Sequence, residues 1–218
     1  MFHEGNFPKA HKAALRREAA WLVFRDVSDV WGNDLDRPDK SKWNATDRSE
    51  GYKHMCRFYA MQMWDHAHAM GLDIVMRVDD DIFFLREAPY DPFRFVWEAG
   101  ADYAWGSATA ESHQQTELTF EPWVRTYCEW LDRGDGAPAC VDVARDVVRD
   151  MYFNNVFATV VSFWRTPAVK RFLHEVDETH AIYVHRAAAA RVVRFASHPF
   201  QAAAAPSRLS RPRRRRAP

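Results

Sequence analysis

Three consecutive aspartates, Asp79, Asp80 and Asp81, are the residues of this 218-residue chain whose type and spacing best suit chemistry. They lie between two apolar runs, in the sequence MRVDDDIFF over residues 76–84. Two carboxylates that are separated by one residue, such as Asp79 and Asp81, can both reach a hard divalent cation. A diphosphate and water can complete its oxygen shell. The cation would neutralise the charge that develops on a departing diphosphate. A solvated acidic turn or a helix N-cap is the alternative interpretation.

The segments before the aspartates place them at the end of a strand. Residues 52–70 carry large side chains at helical spacing, Gly71 ends that helix, and residues 72–78 have the apolar density and length of a strand. Asp79 and Asp81 therefore follow the carboxyl end of a strand, the edge at which open α/β sheets bind ligands. This setting supports the metal site, but the acidic turn stays open as the second interpretation.

The rest of the chain predicts one globular α/β domain followed by a tail. A hydrophobic content of 47% with nine tryptophans is ample for a core, whereas residues 187–218 hold eight arginines, no acid and many alanines and prolines. Such a segment buries too little apolar surface to fold alone, so we expect a domain over residues 1–186 and a disordered tail over 187–218. The other predicted elements are helices over 8–23, 121–131 and 167–176, strands over 23–27 and 102–106, an apolar segment over 151–165, a loop over 31–47 and a turn over 90–95.

Several functional classes lack support in the sequence. The patterns of a P-loop, a dinucleotide-binding glycine loop, a serine-hydrolase elbow and a zinc protease are absent. The three cysteines lack a Cys-x-x-Cys spacing and allow at most one internal disulfide and no zinc module. The arginines at 213–216 have no interleaved aromatic residues, so nucleic acid is not an expected partner. We also expect no transmembrane segment and no signal peptide, because no apolar run reaches about 20 residues and the start of the chain is charged.

The tryptophans form a second set of residues with a possible binding role. Indole rings can stack on sugar rings, yet residues of this size more often pack into a core. We expect the core role for four of them: Trp105, Trp123, Trp130 and Trp164.

Five segments, in the same order along the chain, resemble glycosyltransferase family 15, the fungal-type α-1,2-mannosyltransferases that use GDP-mannose. Residues 52–58 (YKHMCRF) are similar to a Tyr-Arg-His-Met-Cys-Arg-Phe block of that family. Residues 77–84 (RVDDDIFF) are similar to its Arg-Val-Glu-Pro-Asp block, the local form of the metal-binding Asp-x-Asp motif. The other similar segments are 2–7 (FHEGNF), 90–95 (YDPFRF) and 154–165 (NNVFATVVSFWR).

The resemblance implies a GT-A-like α/β fold, with a mixed central sheet flanked by helices, and a retaining mannosyltransferase activity. It also implies Mn²⁺ as cofactor, GDP-mannose as donor, a mannosylated glycan or glycoprotein as acceptor, and a Golgi location. Asp79 takes the place of the family's glutamate and Asp81 that of its aspartate, so both are expected to bind the metal and the donor diphosphate. Tyr52 falls on a tyrosine associated with substrate binding and is expected to contact the donor.

The chain departs from the family pattern at three places. The family's candidate catalytic glutamate aligns with Phe157, which has no carboxylate to stabilise or trap an oxocarbenium-like centre, so no catalytic residue is assigned. After Arg186, a Trp-Gly-Asp-Ala-Pro segment and a metal-contacting histidine give way to Ala and Arg repeats. The family's first strand, stem and membrane anchor would precede Met1, so we expect a partial domain, incomplete at both ends.

Three functions are consistent with these patterns. The first is a hexosyltransferase that moves mannose from GDP-mannose to a mannoside hydroxyl. The second is a catalytically inactive relative that keeps the fold and binds sugar, which Phe157 favours. The third is a metal-dependent phosphoryl-transfer enzyme, which would need a second carboxylate cluster.

Overall fold

The computed structural model describes residues 1–31, 49–79, 81–110, 114–132, 150–184 and 192. In these ranges the strands are β1 Phe2–His3, β2 Arg25–Asp26, β3 Ile74–Val78, β4 Tyr103–Trp105, β5 Ala108–Ala110, β6 Asp150–Tyr152 and β7 Val156–Val160. The helices are α1 Lys9–Glu18, α2 Glu50–Arg57, α3 Met63–Ala69, α4 Pro92–Ala99, α5 Gln114–Asp132, α6 Val161–Trp164, α7 Pro167–Glu178 and α8 Ala181–Val184. A π-helical segment, Phe58–Gln62, joins α2 to α3.

A three-stranded sheet in the order β3-β7-β4 lies at the centre, and both outer strands run antiparallel to β7. A separate parallel pair, β1 and β2, and an antiparallel pair, β5 and β6, accompany it. Helix α4 packs against β3 and β7, while α3 and α6 pack against each other. Sheet and helices together give the predicted α/β class, because each apolar sheet face must be covered by another layer.

Aromatic rings join the helices to the sheet. Trp64 of α3 and Trp164 of α6 stack with ring centroids 4.2 Å apart, and Phe157 of β7 packs against Trp64 at 6.5 Å. The indole N–H of each of these two tryptophans has a partner, since Trp64 donates to the carbonyl of Ala60 at 3.0 Å and Trp164 donates to Thr159 Oγ1 at 2.8 Å. Satisfied polar atoms let these large rings lie in the core without a desolvation penalty.

The turn predicted at 90–95 is instead the start of helix α4. Asp91 caps the helix, because its Oδ1 accepts from the backbone amides of Phe93 at 2.9 Å and Arg94 at 3.3 Å. Pro92 occupies the first helical position, where it costs no hydrogen bond. Gly100 then ends the helix with a left-handed φ of 61°. A proline after an aspartate therefore marks a helix start here rather than a turn.

Buried polar residues fasten α2 to the carboxyl-terminal helices. Lys53 Nζ donates to the carbonyl of Tyr183 at 3.2 Å, and His54 Nδ1 lies 3.0 Å from the Tyr183 hydroxyl. Arg57 forms a bidentate pair with Asp177, in which Nε and Nη2 lie 2.8 Å and 2.6 Å from the two carboxylate oxygens. The YKHMCRF block thus serves the fold, because three of its residues hold α2 against α7 and α8.

The predicted tail lies outside the described residues, except for Val192. Val192 is fully buried and belongs to the hydrophobic core.

In α5, Cys128 is buried and forms a disulfide. In the described ranges, no helix combines the length and apolar character needed to cross a bilayer.

Candidate functional site

The aspartates follow β3 at an edge where three strand ends meet. Because β3 and β4 run antiparallel to β7, the carboxyl ends of β3 and β4 flank the amino end of β7. The Asp79 amide donates to the Asn155 carbonyl at 2.9 Å, and the Gly106 amide donates to the Val156 carbonyl at 3.1 Å. The parallel-sheet rule that predicts this edge as the ligand site therefore does not describe it; antiparallel pairing brings the strand ends together instead.

A bulge in the strand that leads into β7 shapes this edge. Trp105 pairs with Phe157 and Ala108 pairs with Tyr152, so three steps along one strand face five along the other. The extra residues fall within 153–156, where two asparagines are partly exposed. Bulges redirect side chains and are common beside functional sites. Two amide-bearing residues therefore lie at the start of β7, beside the aspartate turn.

The Asp79 carboxylate is held by an arginine on its own strand. Arg77 Nε donates to Asp79 Oδ1 at 2.6 Å, and the two side chains are 11% and 24% exposed. The Arg77 guanidinium lies over the ring of Tyr59, 4.1 Å from its centroid. Tyr59 belongs to the π-helical segment, so it links the helix that carries YKHMCRF to the strand that carries the acids. Asp79 is therefore fixed at the sheet edge by a chain of two contacts.

Asp81 lies two residues after Asp79, in the turn that follows β3, and its side chain is exposed. The turn is closed by a hydrogen bond of 3.2 Å from the Ile82 amide to the Asp79 carbonyl, and Asp80 lies outside the described residues. Of the residues the structure describes, no group of three or more His, Cys, Asp or Glu side chains is arranged to hold a metal ion. Two carboxylates fit a hard cation that takes its other oxygens from water and a ligand diphosphate. These two carboxylates thus fit an Mn²⁺ ion that is shared with a bound nucleotide better than one that is bound by protein ligands alone.

Tyr52 lies in the first turn of α2, on a different element from the aspartate turn. Its backbone amide donates to Ser49 Oγ at 3.2 Å, which caps the helix. Its side chain is partly exposed. The predicted donor contact of Tyr52 stays a prediction, as do the metal contacts of Asp79 and Asp81.

Phe157, which the resemblance aligns with a glutamate, lies in the middle of this edge. By register it stands between Arg77 on β3 and Trp105 on β4. Its ring is 3% exposed and lies 5.1 Å from the ring of Tyr103. Burial raises the pKa of Tyr103 well above its usual value, although the Arg77 charge opposes the shift. Phe157 therefore belongs to an apolar, desolvated surface in which a carboxylate would be costly.

Substitution of Phe157 by glutamate is expected to lower the free energy of unfolding by about 3–5 kcal/mol. The reason is that the change removes aromatic packing and buries a carboxyl group. Urea denaturation monitored by circular dichroism measures the loss, and Phe157→Leu, which stays apolar, should lose less. A Phe157→Glu variant as stable as the original chain would show that the carboxylate reaches solvent, and would make this position available for catalysis.

The structure separates the four tryptophans that the sequence leaves together. Trp164 is fully buried and Trp123 is partly buried, as expected of core residues. Trp130 is exposed, with the Arg171 guanidinium 4.3 Å from its ring centroid. Trp105 is also exposed and ends β4 at the edge described above. The expected core role is therefore correct for Trp164 and Trp123 and wrong for Trp105 and Trp130. For Trp105 the reason is that no periodicity distinguishes the end of a strand from its interior.

A protein-family model matches most of the chain. The family model described as glycolipid 2-alpha-mannosyltransferase matches residues 33–204. Among curated proteins, glycolipid 2-alpha-mannosyltransferase 1 of Candida albicans is 24% identical over 143 residues, which cover 63% of this chain and 33% of that protein. The glycolipid 2-alpha-mannosyltransferase of Saccharomyces cerevisiae is 24% identical over 145 residues, covering 63% of this chain and 32% of that protein. The chain thus spans about a third of the length of these relatives.

Two groups of solved structures share the fold. Core-mannan synthase A (CmsA/Ktr4) of Aspergillus fumigatus, in its Mn/GDP form, aligns with a TM-score of 0.72 at 15% identity, covering 89% of this chain and 59% of that one. The mannosyltransferase Ktr4p of S. cerevisiae in complex with GDP aligns with a TM-score of 0.71 at 18% identity, covering 90% and 56%. These likenesses confirm the predicted GT-A-like α/β fold.

Proposed function

Because the chain belongs to the glycolipid 2-alpha-mannosyltransferase family, we propose that it binds GDP-mannose and transfers mannose, with retention, to a hydroxyl of a mannoside. The observation that carries this proposal is the Asp79 carboxylate, fixed by Arg77 at an edge where three strand ends meet. A family-specific acid motif at a sheet edge of the shared fold is a site for a metal-bound nucleotide diphosphate.

The proposed cofactor is Mn²⁺, with Asp79 and Asp81 as its protein ligands. When bound, the cation neutralises the charge of the departing diphosphate. Arg77 keeps the Asp79 carboxylate oriented through a bond to Oδ1. The A. fumigatus core-mannan synthase, solved in its Mn/GDP form, supports Mn²⁺ as the cofactor. Tyr52 is proposed as a further donor contact.

The proposed acceptor is a mannosylated glycan or glycoprotein, and the proposed location is the Golgi. Both are proposed from the resemblance to a family of mannosyltransferases, and the family match supports them.

Phe157 favours a second candidate, a sugar-binding relative that does not catalyse transfer. Its buried ring occupies the place of the family's glutamate and has no group that can stabilise or trap an oxocarbenium-like centre. In this candidate the metal and the nucleotide sugar bind at Asp79 and Asp81, but mannose is not transferred to an acceptor.

Calorimetric titration of GDP-mannose, with and without Mn²⁺, tests both candidates on the original chain and on Asp81→Ala. Asp73→Ala is a matched control, because Asp73 is exposed and precedes β3, at the opposite end of that strand. The transferase requires Mn²⁺-dependent binding that Asp81→Ala loses and Asp73→Ala keeps, together with transfer of mannose to α-methyl mannoside. Binding without transfer supports the sugar-binding relative. Absence of nucleotide-sugar binding by the original chain overturns both.

A further inference from the structure

Trp105 presents a rigid aromatic surface at the edge that carries the aspartates. One face of its indole stacks on Tyr152, with centroids 3.9 Å apart and planes inclined by 15°. Tyr152 is 2% exposed, whereas Trp105 is 45% exposed. The Trp105 ring is therefore held on one face by the buried Tyr152 ring, and the residue keeps a large accessible surface. An aromatic ring held in this way can receive a flat apolar face of a ligand at little entropic cost.

Other exposed tryptophans differ from Trp105 in their surroundings. Trp97 lies on helix α4, and Trp21 lies in the segment after α1. Trp130 has the Arg171 guanidinium over its ring. Trp105 is the one of these four that ends a strand of the central sheet. Isolated exposed aromatic residues need no functional explanation, but one placed at a candidate ligand edge does.

The strand register gives the distance between Trp105 and the acids. Arg77, Phe157 and Trp105 are paired in sequence across β3, β7 and β4, so they share one face of the sheet. Two strand spacings separate β3 from β4, which amounts to about 10 Å. Asp79 lies on the same face as Arg77, because their side chains bond to each other. A ligand bound to the metal at Asp79 would therefore be separated from Trp105 by a distance that one or two sugar rings can span.

Two asparagines precede β7, the strand that lies between β3 and β4. Asn154 and Asn155 fall in the bulge before β7 and are both partly exposed. Amide side chains donate to and accept from hydroxyl groups, while the indole supplies the apolar contact. A pyranose ring carries both kinds of surface, with hydroxyls around its rim and C–H bonds on its faces. This combination matches a sugar better than it matches a purely apolar ligand.

We propose that Trp105 is the stacking platform for a pyranose ring of the mannoside acceptor, next to the donor site at Asp79 and Asp81. This inference rests on the proposed function for the identity of the sugar. The ring would lie on the exposed face of the indole, with its hydroxyls toward the asparagines of the bulge. Trp105 would therefore set acceptor affinity and leave nucleotide affinity unaffected.

The test measures two affinities on the same 218-residue chain. Calorimetry with α-methyl mannoside, in the absence of nucleotide, gives the sugar affinity, and calorimetry with GDP and Mn²⁺ gives the nucleotide affinity. Trp105→Ala is expected to weaken mannoside binding about 10-fold or more and to change GDP affinity by less than about threefold. Trp105→Phe should lose less, since it keeps a ring, and Trp97→Ala is the exposed control that should lose nothing.

Unchanged mannoside affinity in Trp105→Ala, or no mannoside binding by the original chain, would overturn the proposal. An equal loss of GDP affinity would also overturn it, because the platform would then hold the nucleobase. Failure of the proposed function looks different, since GDP would not bind in the presence of Mn²⁺ while the mannoside titration still reports on Trp105.

A measurement on the unsubstituted chain keeps the test independent of folding. N-bromosuccinimide oxidises accessible indoles, and mass spectrometry of peptides locates the oxidised positions. Saturating α-methyl mannoside should protect Trp105 and leave Trp97 reactive. Equal oxidation of Trp105 with and without the sugar would refute the platform even if Trp105→Ala fails to fold.

Discussion

Asp79→Ala is expected to weaken Mn²⁺ binding in the presence of GDP about 100-fold, the equivalent of about 2.7 kcal/mol. The substitution removes one of the two carboxylates proposed to bind the cation, and hard cations depend on charged oxygen ligands. Asp79→Glu should keep the affinity within about 10-fold of the original, because the longer side chain still carries the charge.

Electron paramagnetic resonance of free Mn²⁺ measures these affinities without requiring turnover. Loss of Asp79 also leaves Arg77 without its bonded carboxylate at low exposure, so thermal unfolding must be recorded for each variant. Asp73→Ala again serves as the control for loss of a negative charge. Equal Mn²⁺ affinity in Asp79→Ala and the original chain would remove Asp79 from the metal site.

Arg57→Ala is expected to lower the free energy of unfolding by about 3–5 kcal/mol. The Arg57 and Asp177 side chains are 5% and 17% exposed, and two charge-assisted hydrogen bonds join them. Removal of the arginine leaves a carboxylate in a largely desolvated place with no cation against it. Arg57→Lys should also destabilise, because an ammonium cannot reproduce the bidentate geometry.

Two controls separate the buried pair from charge in general. Arg94→Ala breaks an exposed pair with Glu98, whose side chains are 73% and 60% exposed, and should leave the unfolding transition unchanged. The double variant Arg57→Met with Asp177→Leu should recover most of the stability lost in Arg57→Ala, since apolar residues of similar size can replace a buried ion pair. Urea denaturation gives these differences, and an Arg57→Ala midpoint equal to that of the original chain would contradict the prediction.

Local patterns in the sequence predict the elements around the site well. The apolar density of residues 72–78 predicts β3, observed at Ile74–Val78, and helical spacing predicts the rod that contains α2 and α3. Placement of the aspartates directly after a strand follows from these two signals. The type and place of these elements depend on neighbours within a few residues, so they can be predicted from a single sequence.

Long-range contacts could not be read from the sequence. The Arg57–Asp177 pair joins residues 120 positions apart, and no spacing rule connects them. The bond of Arg77 to Asp79 and its contact with Tyr59 depend on how a helix packs on the sheet. The sequence places YKHMCRF in a family block, but only the structure shows that Lys53, His54 and Arg57 join α2 to α7 and α8.

The π-helical segment Phe58–Gln62 makes this region sensitive to changes in length rather than in composition. Each residue of an α-helix advances the chain by about 100° around the axis. The wider π turn takes up one extra residue, so a one-residue deletion that restored α-helical winding would keep α2 and α3 in phase. Any other change of length would rotate α2 relative to α3, and Arg57 could then no longer face Asp177 while Trp64 faces Trp164. Insertions, and deletions of two residues, between residues 57 and 64 should therefore be rare among functional descendants of this chain, even where the identities of the intervening residues drift.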